Sequence, residues 1–337
     1  MIKYIGSKRT LVPTLVEVIG GLPDVRSVID LFSGTARVGH GLKRAGLRVI
    51  SNDHNAYAAT LARCYVAADA EEHTKRATEL LASLEDLPGV PGYFTKTFCQ
   101  DSRFFQPRNG ARVDAIRTAI ERMTLSSELK AILLVSLMEA ADRVDSTTGV
   151  QMAYLKKWAP RASNELKLRL PALLPQAAAG KGESHQLDAL AAAKTLSADV
   201  AYLDPPYNQH KYLGNYHIWE TLVRWDAPEA YGVARKRADC RQRRSPFNSR
   251  RAAVDALRQV VETIDARHLV VSFSDEGYIS RPEMEELLSS RGEVSVLVND
   301  FRRYVGARIG IYNPDGEKVG KVSHLRNKEF IYVVKGT

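Results

Sequence analysis

The chain has 337 residues, 45% of them hydrophobic, enough for one large domain or a core domain carrying an insertion. No apolar run reaches the ~20 residues that span a bilayer, and Met1-Ile2-Lys3-Tyr4-Ile5-Gly6 lacks the regions of a signal peptide, so no membrane partner is expected. Lysine and arginine outnumber acidic residues 48 to 39, and a pI of about 9.4 favours a polyanionic partner, nucleic acid first.

The first strand is expected over 27–32, ending in a Ser33-Gly34-Thr35 turn. A helix over 36–45 follows, then a strand over 48–51 closed by Asn52-Asp53. A glycine turn after one strand and an acid after the next is how nucleoside-binding α/β sheets begin. The turn holds a single glycine, Gly34, instead of G-x-G-x-x-G, which argues against a dinucleotide and leaves room for a ligand without a pyrophosphate. From 56 to 181 the pattern is mainly helical, with apolar residues three and four apart in 113–123 and 127–144. Asn109-Gly110 is expected to turn the chain before the first of these helices, and Thr147-Thr148-Gly149 to break it after the second. We read 56–181 as a helical insertion within one sheet domain made of 1–55 and 182–337. Strands resume at 199–203, 268–272, 293–298 and 329–334, with helices over 250–264 and 281–290. The last two strands, separated by a basic, glycine-rich stretch, suit a terminal hairpin. Cys64, Cys99 and Cys240 have no metal-ligand spacing and read as free thiols of a reducing cytoplasm; no metal site is expected.

Charge is concentrated. Residues 224–251 hold nine basic and three acidic side chains, a local surplus of six out of nine for the whole chain. Arg235, Lys236, Arg237, Arg241, Arg243, Arg244, Arg250 and Arg251 lie within 227–253, a segment expected to contact DNA, with 235–251 expected to lack structure without it. Its rival reading is a solvated loop.

The most specific feature is Asp204-Pro205-Pro206-Tyr207, directly after a buried strand. The lone pair of an exocyclic amine on a base is delocalised into the ring, so the nitrogen is a poor nucleophile. A carboxylate (Asp204) and a backbone carbonyl (Pro205) accepting its two N–H groups would favour a tetrahedral nitrogen able to attack a methyl sulfonium. Prolines stiffen the turn and leave carbonyls free. Tyr207 offers a face to an unstacked base, worth roughly 1–3 kcal/mol. The rival reading is a plain strand-ending turn. Tyr212, Tyr216 and His217 could hold the flipped base or the loop, Trp219 suits core packing, and Asp101 suits a surface loop.

With these motifs in order, the chain resembles the D12-class, Dam-like adenine-specific DNA N6-methyltransferases over nearly its whole length. Lys3-Tyr4-Ile5-Gly6-Ser7-Lys8 resembles the family's amino-terminal motif, with Tyr4 where Dam has tryptophan, and Asp30 to Thr35 resembles its cofactor loop. Asp204 to Tyr207 resembles its catalytic motif; Asn215 to Leu222, Asn109 to Asp114 and Tyr154 to Trp158 are also similar to its members. The resemblance implies a Rossmann-like class I methyltransferase, an α/β fold with a mostly parallel twisted sheet. It implies S-adenosyl-L-methionine as cofactor, held by Tyr4, Lys8, Asp30, Phe32, Gly34, Asp53, Asp188 and Asp204. Asp53 would take the ribose hydroxyls and Asp188 the adenine amine, helix capping being the rival role for Asp188. It also implies direct transfer to a flipped-out adenine of double-stranded DNA, recognition through 56–181 and the basic segment, and a cytoplasmic, nucleoid-associated or phage-encoded enzyme. A cognate restriction endonuclease would be its partner. The rival functions are an N4-cytosine DNA or RNA amine methyltransferase, or a non-catalytic DNA-binding relative.

Overall fold

The computed structural model describes residues 1–209, 211–302, 311–312, 318–320 and 326–336. Its strands are β1 (Ser27–Asp30), β2 (Arg48–Asn52), β3 (Glu183–His185), β4 (Ser197–Leu203), β5 (Ala230–Tyr231), β6 (Lys236–Arg237), β7 (Asp265–Ser274), β8 (Glu293–Arg302), β9 (Ile311–Tyr312), β10 (Lys318–Gly320) and β11 (Arg326–Lys335). Seven of them form one sheet in the order β3-β2-β1-β4-β7-β11-β8. β3, β2, β1, β4 and β7 run parallel to one another; β11 runs antiparallel between β7 and β8. This is the expected α/β sheet of a Rossmann-like methyltransferase with its terminal hairpin. The pairs β5–β6 and β9–β10 are small antiparallel ribbons. The basic, glycine-rich stretch between the last two sheet strands lies, apart from β9 and β10, outside the described residues.

Alternating side chains fill two cores, as the twofold period of a strand requires. Val28, Val200, Tyr202, Val270, Ile331 and Val333 face one side, packed with helices Val12–Gly20, Arg37–Arg44, Ala56–Ala62, Ala70–Glu85, Pro107–Arg122 and Ser127–Arg143. Ile29, Leu31, Ala201, Leu203, Leu269 and Val271 face the other, against helices Ala189–Thr195, Ala253–Thr263 and Arg281–Ser289. The helices of 56–181 therefore share a core with the sheet. Helix Ser127–Arg143 is buried on most of its surface and is capped by Ser126, whose hydroxyl accepts from Leu129 N at 3.2 Å.

One local expectation is corrected, and one strand was not foreseen. Asn109-Gly110 is not a turn but lies inside helix Pro107–Arg122, where Pro107 occupies the first turn and Gly110 is needed because a Cβ would collide with Cys99 Sγ. The edge strand β3 is too short and too polar for periodicity to signal. No helix among the described residues is long and apolar enough to cross a membrane.

Strand order reverses between β1 and β4, which neighbour each other while β2 and β3 lie to one side and β7 to the other. At such a switch point the loops leaving the two carboxyl ends diverge and open a crevice. Asp30 closes β1 and Asp204 follows β4, so the fold sets both at its mouth.

Candidate active site

A cleft occupies this crevice. Its walls bring together Tyr4, Lys8, Asp30, Phe32, Gly34, Asp53, Asp188, Asp204 and Pro206 from five separate stretches of sequence. Every residue the motifs nominated for the cofactor thus lines one cavity.

The turn after β1 is shaped by backbone chirality. Gly34 has φ +51 and Ala36 φ +58, both left-handed, and the Gly34 N–H donates to Asp53 Oδ2 at 3.1 Å. The other Asp53 oxygen accepts from Asn55 N at 2.9 Å and Asn55 Nδ2 at 3.2 Å. Asn52 ties the floor together: its Nδ2 donates to the Leu31 and Leu187 carbonyls, each at 3.2 Å, and its Oδ1 accepts from Leu187 N at 3.0 Å. Asp188 is exposed in the cleft and also caps helix Ala189–Thr195, accepting from Leu190 N at 3.0 Å. The capping geometry is present alongside the cleft position.

Asp204 stands at the centre of a polar network. Its Oδ1 lies 3.0 Å from Lys8 Nζ and accepts from Ser272 Oγ at 3.1 Å. Ser272 has one proton to give, so the 2.8 Å contact between Tyr202 OH and Ser272 Oγ is donated by the tyrosine. Lys8 also pairs with the buried Glu329 of β11. Burial pushes the Asp204 carboxyl above its ordinary range, opposed by Lys8 and Ser272. Burial raises Glu329 too, against the pull of Lys8. Burial alone would depress the Lys8 ammonium, but Asp204 and Glu329 more than reverse this and hold it charged. Burial, with Asp204 nearby, pushes Asp30 up to about 7, although Gly39 N donates to it at 3.2 Å.

Aromatic rings complete the walls. Tyr4 stacks on Tyr212 and Tyr216, with centroids 5.3 and 4.4 Å apart, and its hydroxyl is 3.2 Å from that of Tyr57. Phe32 meets Phe247 edge to face at 5.1 Å, and Tyr207 meets Phe273 similarly at 6.3 Å. Pro206 lines the cleft, whereas Pro205 is buried below it. Tyr207 is part-exposed beside Gly6, and Trp219 is in the core.

The basic segment is more divided than its composition suggests, and the expectation that it lacks structure alone is corrected. It folds into the β5–β6 ribbon, helix Asp239–Gln242 and a 3-10 turn at Pro246–Asn248. Arg237 is only 2% exposed and pairs with Asp226 and Asp239 at 2.7 and 3.1 Å, so it cannot reach a phosphate. Arg243 lies in the cleft wall, 3.1 Å from the buried Glu220 and donating to His54 O at 2.9 Å. Arg235 pairs with Asp101, and Lys236 is half-buried. Arg241, Arg244, Arg250 and Arg251 remain exposed.

Sequence reasoning missed Glu329, Ser272, Phe247 and Lys211. A charged residue opening an otherwise apolar strand was the one available signal, for Glu329: a buried carboxylate needs a partner.

The sheet order and the cleft at its switch point define a class of protein, the Rossmann-like α/β methyltransferases. The chain belongs, further, to the D12 class N6 adenine-specific DNA methyltransferases, which it matches over residues 4–287. It is an adenine-specific DNA methyltransferase, and DNA is its substrate. Type II methyltransferase M.NlaIII of Neisseria lactamica is 30% identical over 97% of this chain and 99% of its own length. Type II methyltransferase M.FokI of Planomicrobium okeanokoites is 30% identical over 86% of this chain, which spans only 47% of that protein. Type II methyltransferase M.CviAII of Paramecium bursaria Chlorella virus 1 is 28% identical over 90% of this chain and 92% of its own.

Proposed function

We propose that the cleft binds S-adenosyl-L-methionine beside an adenine rotated out of double-stranded DNA, and that Asp204 accepts a hydrogen bond from the adenine amine during direct methyl transfer. The observation that carries this is Asp204 itself, a carboxylate lining the same cleft as Asp53 and the Gly34 turn. The cofactor fits these residues. Ser7 Oγ, Ser33 Oγ, Asn55 Oδ1 and Arg37 Nε are shielded from solvent without a hydrogen-bond partner among the described residues, and all four residues line the cleft. Asp53 would take the ribose hydroxyls, Asp188 the adenine amine, and Phe32 the flat face of that ring; Tyr4 backs the turn at Gly34. When bound, the cofactor supplies an electrophilic methyl group on a sulfonium.

The protein's part is to make a poor nucleophile attack. Asp204 accepts one N–H of the target amine and the Pro205 carbonyl the other, drawing the lone pair out of ring conjugation. Pro206 fixes the turn that aims them. Tyr207 supports the extruded base, offsetting some of the few kcal/mol that extrusion costs. Segments 56–181 and 227–253 supply target recognition, with Arg241, Arg244, Arg250 and Arg251 on phosphates. As with the type II relatives, we place the enzyme in restriction–modification, acting on cytoplasmic DNA alongside a cognate endonuclease.

Asp204→Ala is expected to abolish methylation while the melting temperature stays near wild type. Labelled S-adenosylmethionine and duplex DNA, followed by mapping of N6-methyladenine, provide the assay. Near-normal turnover by the variant would refute the assignment.

A further inference from the structure

Lys8, Asp204 and Glu329 form a buried trio of one cation and two carboxylates. Their side chains are 9%, 20% and 5% exposed. If neutralising Asp204 were the only need, Lys8 would suffice; a second carboxylate on the same ammonium leaves the group with net negative charge. Burying such charge is costly unless it is used. Glu329 is held rigidly, because its backbone sits in register between Ser274 of β7 and Asn299 of β8. Its strand lies beyond the family match, which ends at residue 287.

We propose that Glu329 is a positioning residue for methyl transfer: it anchors Lys8 under Asp204 and takes a share of that ammonium, so the catalytic carboxylate stays only partly neutralised. The inference rests on the role given to Asp204 above. Among the described residues, the groups facing Asp204 are Lys8 from the amino-terminal 3-10 turn, Ser272 of β7, Glu329 of β11, Tyr202 of β4, Asp30 of β1, and Tyr207 and Tyr212 beyond the catalytic turn; Asp275 faces Glu329 from the end of β7. Lys8 is the single cation among them. Withdrawing the charge of Glu329 would let Lys8 pair fully with Asp204. The carboxylate would then ionise at lower pH and accept the amine hydrogen bond more weakly.

The test is the pH dependence of kcat for Glu329→Gln and Glu329→Asp on duplex DNA. Glu329→Gln is expected to lower kcat about tenfold, leave KM for DNA and cofactor unchanged, and move the acid limb to lower pH. Glu329→Asp keeps the charge, so its acid limb stays at the wild-type position and most of the rate returns. Wild-type kcat with an unmoved limb in Glu329→Gln overturns the inference. So does an acid limb in Glu329→Asp that matches the glutamine variant, or loss of folding in Glu329→Gln, which would make the carboxylate a structural anchor only. A fully active Asp204→Ala defeats the Asp204 assignment first; an inactive Asp204→Ala with a normal Glu329→Gln defeats this one alone.

Discussion

At the residue scale, Gly34 shows how a left-handed turn position favours one residue type, although Ala36 two residues on carries the same strain. A Cβ at Gly34 would only brush the Tyr4 ring, 3.5 Å from its hydroxyl, so space is not the constraint. The left-handed φ is, and it costs an L-residue about 1–2 kcal/mol. Because the same residue's N–H fixes Asp53 Oδ2, the strain falls on the cofactor wall. Gly34→Ala is expected to weaken S-adenosylmethionine binding about tenfold in calorimetric titration; unchanged affinity in the folded variant would remove this role. Asp53, Asp188 and Asp204 were legible in the sequence because each follows or opens a regular element, where a short motif declares its place. Glu329 and Ser272 were not, since their chemistry is created by strand pairing, and the Glu329–Lys8 contact spans 321 positions. Arg237 and Arg243 misled for the converse reason. Composition counts charge without showing that Asp226, Asp239 and Glu220 pair with these two side chains within the fold.

At the scale of elements, the sheet was readable and its edges were not. Strands β4 and β7 carry apolar runs, Val200 to Leu203 and Leu269 to Val271, as strands covered on both faces do. β3 has no such run and pairs with β2 through only three residues. Helix Arg37–Arg44 offers a sharper lesson in what packing adds. Its Lys43 is almost wholly buried, 2.7 Å from Asp69 Oδ1 and from Ala68 O, and 3.0 Å from Val66 O. One side chain therefore clamps the helix beneath the cofactor turn to the exit of the π-helical Arg63–Ala67. Lys43→Met would strand the Asp69 carboxylate, and about 3–5 kcal/mol of stability should be lost. Denaturant unfolding measures this; a loss under 1 kcal/mol would show that water replaces the ammonium.

For the whole molecule, the surplus of positive charge resolves into two populations. Arg237 and Arg243 are spent on internal pairs, whereas Arg241, Arg244, Arg250 and Arg251 face outward; Arg241 rests on the Tyr231 ring at 3.8 Å. Replacing the four exposed arginines with glutamine should weaken DNA binding and flatten its salt dependence by about one unit of slope per lost phosphate contact. An unaltered slope would place the DNA elsewhere, and Arg243→Gln should instead disturb the cleft.

Insertion of β11 between β7 and β8 also fixes the order in which a newly made chain can become an enzyme. β8 leaves the ribosome first but has no neighbour in the sheet until β11 arrives. The glutamate that β11 carries can meet Lys8, 321 positions before it, only once that strand has docked. A growing polypeptide can therefore bring Lys8 and Asp204 together early, yet the trio with Glu329 is complete only after β11 has been made.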